Sequence, residues 1–148
     1  MSQKERAAPQ NGTTPTTPSP GHATTKAPKV PTLLELAAAH LLESGMKGTS
    51  QLTFFPLYHD FNYRNRIDEL RNDHDVIIHS MPFDHRNSAG RTTRFERYWL
   101  ANREEARKVA ELVNLKRRQR NALPMEQEQI ARYLAAFPAT PDELPPAA

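Results

Sequence analysis

The sequence predicts a mainly α-helical fold with one small β-hairpin, and three observations lead there. Apolar residues recur at helical spacing in several stretches between Leu33 and Phe137. Two short runs rich in β-branched and aromatic residues, Val76–Met81 and Thr93–Leu100, flank the turn-forming Asn87-Ser88-Ala89-Gly90. Met1–Lys29 contains no Leu, Ile, Val, Phe, Tyr or Trp, so nothing there offsets the entropy of ordering it. The chain is therefore expected to divide into a disordered basic arm (1–30), a compact unit (31–101), a C-terminal helical extension (102–137) and a disordered tail (138–148).

The first helix opens at Thr32, a Ser/Thr-type N-cap with Glu35 three residues on completing a capping box. Leu33, Leu34, Ala37, Ala38 and Leu41 follow its spacing, and Gly45 and Gly48 close it. Gln51–Phe61 is aromatic and carries Pro56, which suits only a short, imperfect helix. Asn62 then caps a third helix running to about Arg71, with Tyr63, Ile67 and Leu70 at i, i+4 and i+7. Val76–Met81 and Thr93–Leu100 follow as strands, joined by a long basic tip from Phe83 to Thr92. Asn102 and Glu105 suggest another capping box, opening a helix with Ala106, Val109, Leu112 and Val113 on one face. Pro124 is expected to start a last helix with Ile130, Leu134 and Phe137 in register.

The 148 residues leave room for one modest core. With no cysteine, disulfides, thiolate nucleophiles and zinc-thiolate sites are excluded together, which fits a reducing, cytoplasmic setting. No apolar run approaches the roughly 18–20 residues of a spanning helix, so no membrane partner is expected. The net charge is +3, yet Arg64–Arg120 alone holds fourteen Lys/Arg against nine Asp/Glu. That local excess favours a polyanionic partner.

Helix, short helix, amphipathic helix and hairpin, in that order, make the winged helix-turn-helix plan, whose third helix is the usual reader of the major groove. Arg66-Ile67-Asp68-Glu69-Leu70-Arg71, Val76-Ile77 and Arg97-Tyr98-Trp99-Leu100 resemble the small winged-helix proteins encoded by bacteriophages and other mobile elements. There, Arg-Ile-x-Glu-Leu-Arg, a short turn, a first wing strand and an Arg-Tyr-x-Leu second strand recur. The resemblance covers roughly residues 33–100 and implies double-stranded DNA as partner, for a regulator or accessory factor in the cytoplasm of a bacterial host. Such folds also serve as protein–protein modules. The aromatic second helix with Pro56 and the long wing tip depart from the pattern.

With Tyr63, Ile67 and Leu70 facing inward, Asn65, Asp68 and Asn72 lie on the opposite side of the third helix, Arg64 and Arg71 flank one edge and Arg66 the other. Asn62, Arg64, Asn65, Arg66, Asp68 and Arg71 are the candidate DNA-facing positions there, since asparagine pairs with adenine, arginine with guanine, and edge arginines hold phosphates. The plainer reading is a solvated face with an Arg66–Glu69 pair, and the carboxylates of Asp68 and Glu69 favour it. On the wing, Arg86, Arg91 and Arg94, with His85 and only Asp84 as acid, could reach a minor groove or flanking phosphates, or simply form a solvated loop. Lys116–Arg120 is either a second patch for nucleic acid or a helix end favoured by the dipole.

His40, His59, His74, His79 and His85 show no metal-ligand spacing, and no phosphate-loop, dinucleotide or nucleophile motif is present. The expectation is therefore no metal, no cofactor and no enzyme. The alternative to DNA binding is a docking module, with Phe54-Phe55-Pro56-Leu57-Tyr58 and the Val109, Leu112, Val113 face holding a partner protein or a second copy through the C-terminal helices.

Overall fold

The computed structural model describes residues 27–139. Most of the expected arm, residues 1–26, and residues 140–148 of the tail lie outside the described residues. Among the described residues the fold is mainly helical with one antiparallel two-stranded hairpin.

Helix α1 (Leu33–Ser44) starts where Thr32 Oγ1 accepts the Glu35 N–H at 3.2 Å, and ends at Gly45, whose φ is 59°. It lies against all the other helices and the base of the hairpin, burying Ala37, Ala38, Leu41 and Leu42. Only half of the expected capping box forms. Glu35 is 3% exposed and turns away from its own helix to meet Arg120, far along the chain.

A 3₁₀ turn (Gly45–Lys47) leads to Gly48 and Thr49. Thr49 pairs with Tyr98 in both directions, N to O at 2.8 Å each way, adding a one-residue third strand to the hairpin base. Gly48 makes this approach possible: its φ is 85°, and a Cβ there would sit 2.8 Å from the Tyr98 carbonyl oxygen.

Helix α2 (Gln51–Tyr58) carries a capping box built from Ser50 and Thr53, and Pro56 falls two residues before its end. Phe54 is fully buried and stacks on Tyr63 at 4.3 Å between ring centroids. Helix α3 (Tyr63–Asp73) buries Tyr63, Ile67 and Leu70, the three positions that the periodicity assigns to the core.

Strand β1 (Ile78–Arg86) pairs with β2 (Thr92–Leu100) from Ile78↔Leu100 to Arg86↔Thr92. The first strand begins two residues later than expected and runs five residues further, through Pro82. A proline is tolerated because β1 has no neighbour on its outer side. Ile78, Tyr98 and Leu100 are buried, but from Met81↔Arg97 outward no residue is. At about 3.3 Å per residue, the hairpin is about 30 Å long and most of it stands clear of the core.

Helix α4 (Arg103–Gln119) is capped by Asn102, whose Oδ1 accepts the Glu105 N–H at 3.0 Å. Here too the box stays half made: Glu105 Oε1 accepts the Ile77 N–H at 2.8 Å and faces Lys108 at 3.1 Å, so it ties the foot of the hairpin to α4. The last helix, α5 (Gln127–Ala135), starts three residues after Pro124. Before it, the Asn114 side chain grips Met125, accepting its N–H at 2.7 Å. After it, Arg103 donates to the carbonyls of Leu134 and Phe137.

One core joins all these elements. Val109, Leu112 and Val113 of α4 are buried in it with Met125, Leu134 and Phe137, so the C-terminal helices cover their apolar stripes by folding back on α1. Burying each such side chain contributes about 1.5–3 kcal/mol.

Candidate nucleic-acid interface

The turn between α2 and α3 is fixed by side chains. Gln51 donates to the Asp60 carbonyl and accepts the Tyr63 N–H at 2.9 Å, and Asp60 Oδ1 accepts the Asn62 N–H at 2.9 Å. Asn62 stands at the N-cap position, but its side chain makes no cap bond; Gln51 satisfies the first amide of α3 instead. The buried Asp60 also faces Arg66 at 3.5 Å, while Arg66 closes on Glu69 at 2.6 Å.

This arrangement sorts the candidates on α3. Arg66 is held between two carboxylates, the intrahelical pairing that the plainer reading expected. Arg71 donates to the Ile78 carbonyl at 2.6 Å, lies 5.7 Å from the Tyr98 ring centroid and 3.9 Å from Asp68, so it braces the helix against the hairpin. Neither guanidinium is open, and Asp68 is drawn into the same brace. Asn62, Arg64 and Asn65 are exposed at the start of α3, and neither Arg64 nor Asn65 has an ion-pair or hydrogen-bond partner among the described side chains.

Tyr98 shows how closely α3 and the hairpin base are joined. Burial pushes its phenol up, Glu96 adds to this, and Arg64 and Arg71 pull the other way. On the other side of the joint, the Tyr63 hydroxyl donates to Thr49 Oγ1 at 2.7 Å; burial also pushes the Tyr63 phenol far up, so it keeps its proton. Helix α3 is thus linked through one buried hydroxyl to the residue that bridges to β2.

The long basic tip expected from Phe83 to Thr92 is shorter than that, because Phe83–Arg86 pair across to Phe95–Thr92. Only Asn87–Arg91 turn the chain. Asn87 Oδ1 accepts the N–H groups of Ala89 and Arg91, at 2.9 and 3.0 Å, and Gly90 supplies φ 88°. Arg86, Arg91 and Arg94 are exposed, and Arg94 lies opposite Asp84 in the register without closing an ion pair. A tight basic tip on a fully paired two-stranded ribbon results.

The C-terminal basic run divides differently. Arg120 forms a two-toothed pair with Glu35, 2.8 Å from Nε and 2.7 Å from Nη2, and donates to the Lys29 carbonyl. Arg117 lies 3.9 Å from Glu35 and donates to the Leu123 carbonyl at 3.3 Å. Arg118 points to solvent and Lys116 is half-buried. Gln51, Thr49 and Glu35 were missed as positioning residues by the sequence reading; each acts through a partner nine or more positions away, beyond the reach of local pattern.

Among the described residues no group of three His, Cys, Asp or Glu is placed to hold a metal ion, and no helix is long and apolar enough to cross a membrane. No curated protein and no solved structure matches the chain. Residues 28–147 match a family described as "Uncharacterised protein PM1773", a span that takes in both the hairpin unit and the C-terminal helices, and the chain belongs to that family.

Proposed function

We propose that this protein binds duplex DNA as a winged helix-turn-helix protein of the kind encoded by phages and mobile elements, as a regulator or accessory factor. The observation that carries the reading is the sorting of arginines. Arg66, Arg71, Arg117 and Arg120 are consumed by the fold, whereas Arg64 on α3 and Arg86, Arg91 and Arg94 on the hairpin meet no carboxylate. The Thr49–Tyr98 bridge supports it, since a short strand between the first two helices, paired to the hairpin, suits the winged plan. In this reading Arg64 and Asn65 meet base edges and the hairpin arginines meet phosphates.

The test is fluorescence anisotropy with a random-sequence duplex from about 50 to 200 mM salt, where phosphate contacts make affinity fall steeply. Salt-dependent binding is expected; no binding at the lowest salt overturns the reading.

One observation favours a second reading, a protein-docking module. Leu57, in the last turn of α2, is 57% exposed and Phe61, in the turn before α3, 78%, and Phe61 leans on Phe55 at 4.5 Å between ring centroids. The docking face suggested for α4 is not open, because Val109, Leu112 and Val113 are buried.

A further inference from the structure

The register of the hairpin separates its side chains into two faces. Even-numbered positions of both strands share the face that carries Ile78, Tyr98 and Leu100 into the core. Both carboxylates of the ribbon, Asp84 and Glu96, lie on that face. Odd-numbered positions form the outer face; near its base Arg97 donates to the Met46 and Lys47 carbonyls at 3.1 and 3.0 Å, and farther out the side chains of Phe83 and Phe95 are half-buried.

That outer face is aromatic and cationic, with no acid on it. His79 and Trp99 pair at 5.8 Å between centroids, Phe83 and Phe95 at 6.1 Å, and Arg97 lies 4.1 Å over the Trp99 ring. Met81, 53% exposed, sits between the two ring pairs. The pairs are four residues apart along each strand, about 13 Å, far enough to engage separate ligand groups. At the distal end the turn residue Arg91 is exposed and meets no carboxylate, while Arg86, at an even position, belongs to the opposite face.

Half-exposed rings without a carboxylate among them, with the Arg91 guanidinium at one end, complement a ligand that alternates flat π-faces with phosphates. The geometry points to this outer face as a stacking surface for unpaired bases, so that the hairpin holds single-stranded nucleic acid along it. This goes beyond the duplex reading: it rests on the outer-face rings, which that reading does not use, and shares Arg91 with it. A duplex cannot satisfy the surface, because its bases are already stacked on one another.

Trp99 is the only tryptophan in the chain, so its emission reports directly on the site. Wild-type protein is titrated with a fifteen-nucleotide oligo(dT), with an abasic deoxyribose-phosphate polymer of the same length, and with a random duplex. Oligo(dT) is expected to quench Trp99 and to bind about tenfold or more tighter than the abasic polymer. Phe83→Ala with Phe95→Ala, both outside the core, should remove that preference and leave duplex affinity unchanged. Absence of quenching, equal binding of the abasic polymer, or equal loss of oligo(dT) and duplex binding in the double variant overturns the proposal. Failure of duplex binding with the oligo(dT) preference intact would retire the duplex reading alone. Because the first comparison needs only wild-type protein, a variant that fails to fold does not shelter the idea.

Discussion

At the end of α4, Arg117 and Arg120 close on a carboxylate that is almost wholly buried. At the tip of the hairpin, Arg86, Arg91 and Arg94 stand in solvent, and the nearest acid in register, Asp84, does not close on any of them. As sequence the two clusters look alike: short, arginine-rich, and following an element with a clear apolar pattern. The difference lies in Glu35, which is 85 positions from Arg120 and comes beside it only because α1 and α4 pack together. A basic cluster is therefore a candidate surface only after the fold has taken the cations it needs.

The comparison breaks most visibly at Arg120. Arg120→Ala leaves Glu35 buried, with only Arg117 nearby, and should cost about 2–4 kcal/mol in chemical denaturation. Arg91→Ala should stay within about 0.5 kcal/mol of wild type, as expected for an exposed side chain with no partner. Equal effects at the two sites would show that the clusters do not differ.

Next comes the joint at the hairpin base. Gly48→Ala puts a side chain into a left-handed backbone and against the Tyr98 carbonyl, and about 1–3 kcal/mol of destabilisation is expected by thermal melting. If the bridge orients the hairpin, the loss should come with weaker duplex binding. On the binding side, Arg86→Ala together with Arg91→Ala should reduce the slope of log affinity against log salt by about two units, one for each lost phosphate contact. An unchanged slope would place the phosphate backbone elsewhere.

The smallest effect concerns a cation made inside the core. His40 is buried, accepts or donates at Thr53 Oγ1 over 3.0 Å, and burial lowers its pKa from the usual value. The folded state therefore binds the proton less readily than the unfolded chain does. Its contribution is intact above the unfolded value of about 6.5 and declines as pH falls from there toward the depressed folded value. A stability–pH profile should show this slope, and His40→Gln, which keeps a hydrogen-bonding group, should flatten it.

Much of the fold is legible in the sequence because it rests on local rules. The spacing of Tyr63, Ile67 and Leu70 gives α3 and its inner face, and Thr32 and Asn102 mark helix starts. What escapes is long-range. Glu35 and Glu105 complete capping boxes by pattern, yet each is drawn to a distant partner that only packing supplies. Pro82 and the charged residues after it hide a strand extension, since ladder pairing on a two-stranded ribbon tolerates both. Thr49 is a one-residue bridge, too short for any periodicity. Of the candidate site, helical geometry alone puts Asn65 opposite the core face of α3 and Arg64 on its edge, but the competition that removes Arg66 and Arg71 could not be read without Asp60 and Tyr98 beside them.

Pro82 has one more consequence, which concerns what the molecule avoids. An extended ribbon clear of the core offers its unpaired edge to any other copy, and such edges template aggregation. Because proline donates no amide hydrogen, the outward row of donors on β1 is broken midway, between the amides of Ser80 and Asp84. Two hairpins brought edge to edge along β1 lose a ladder hydrogen bond at that gap, which weakens edge pairing of a ribbon that is otherwise long and aromatic.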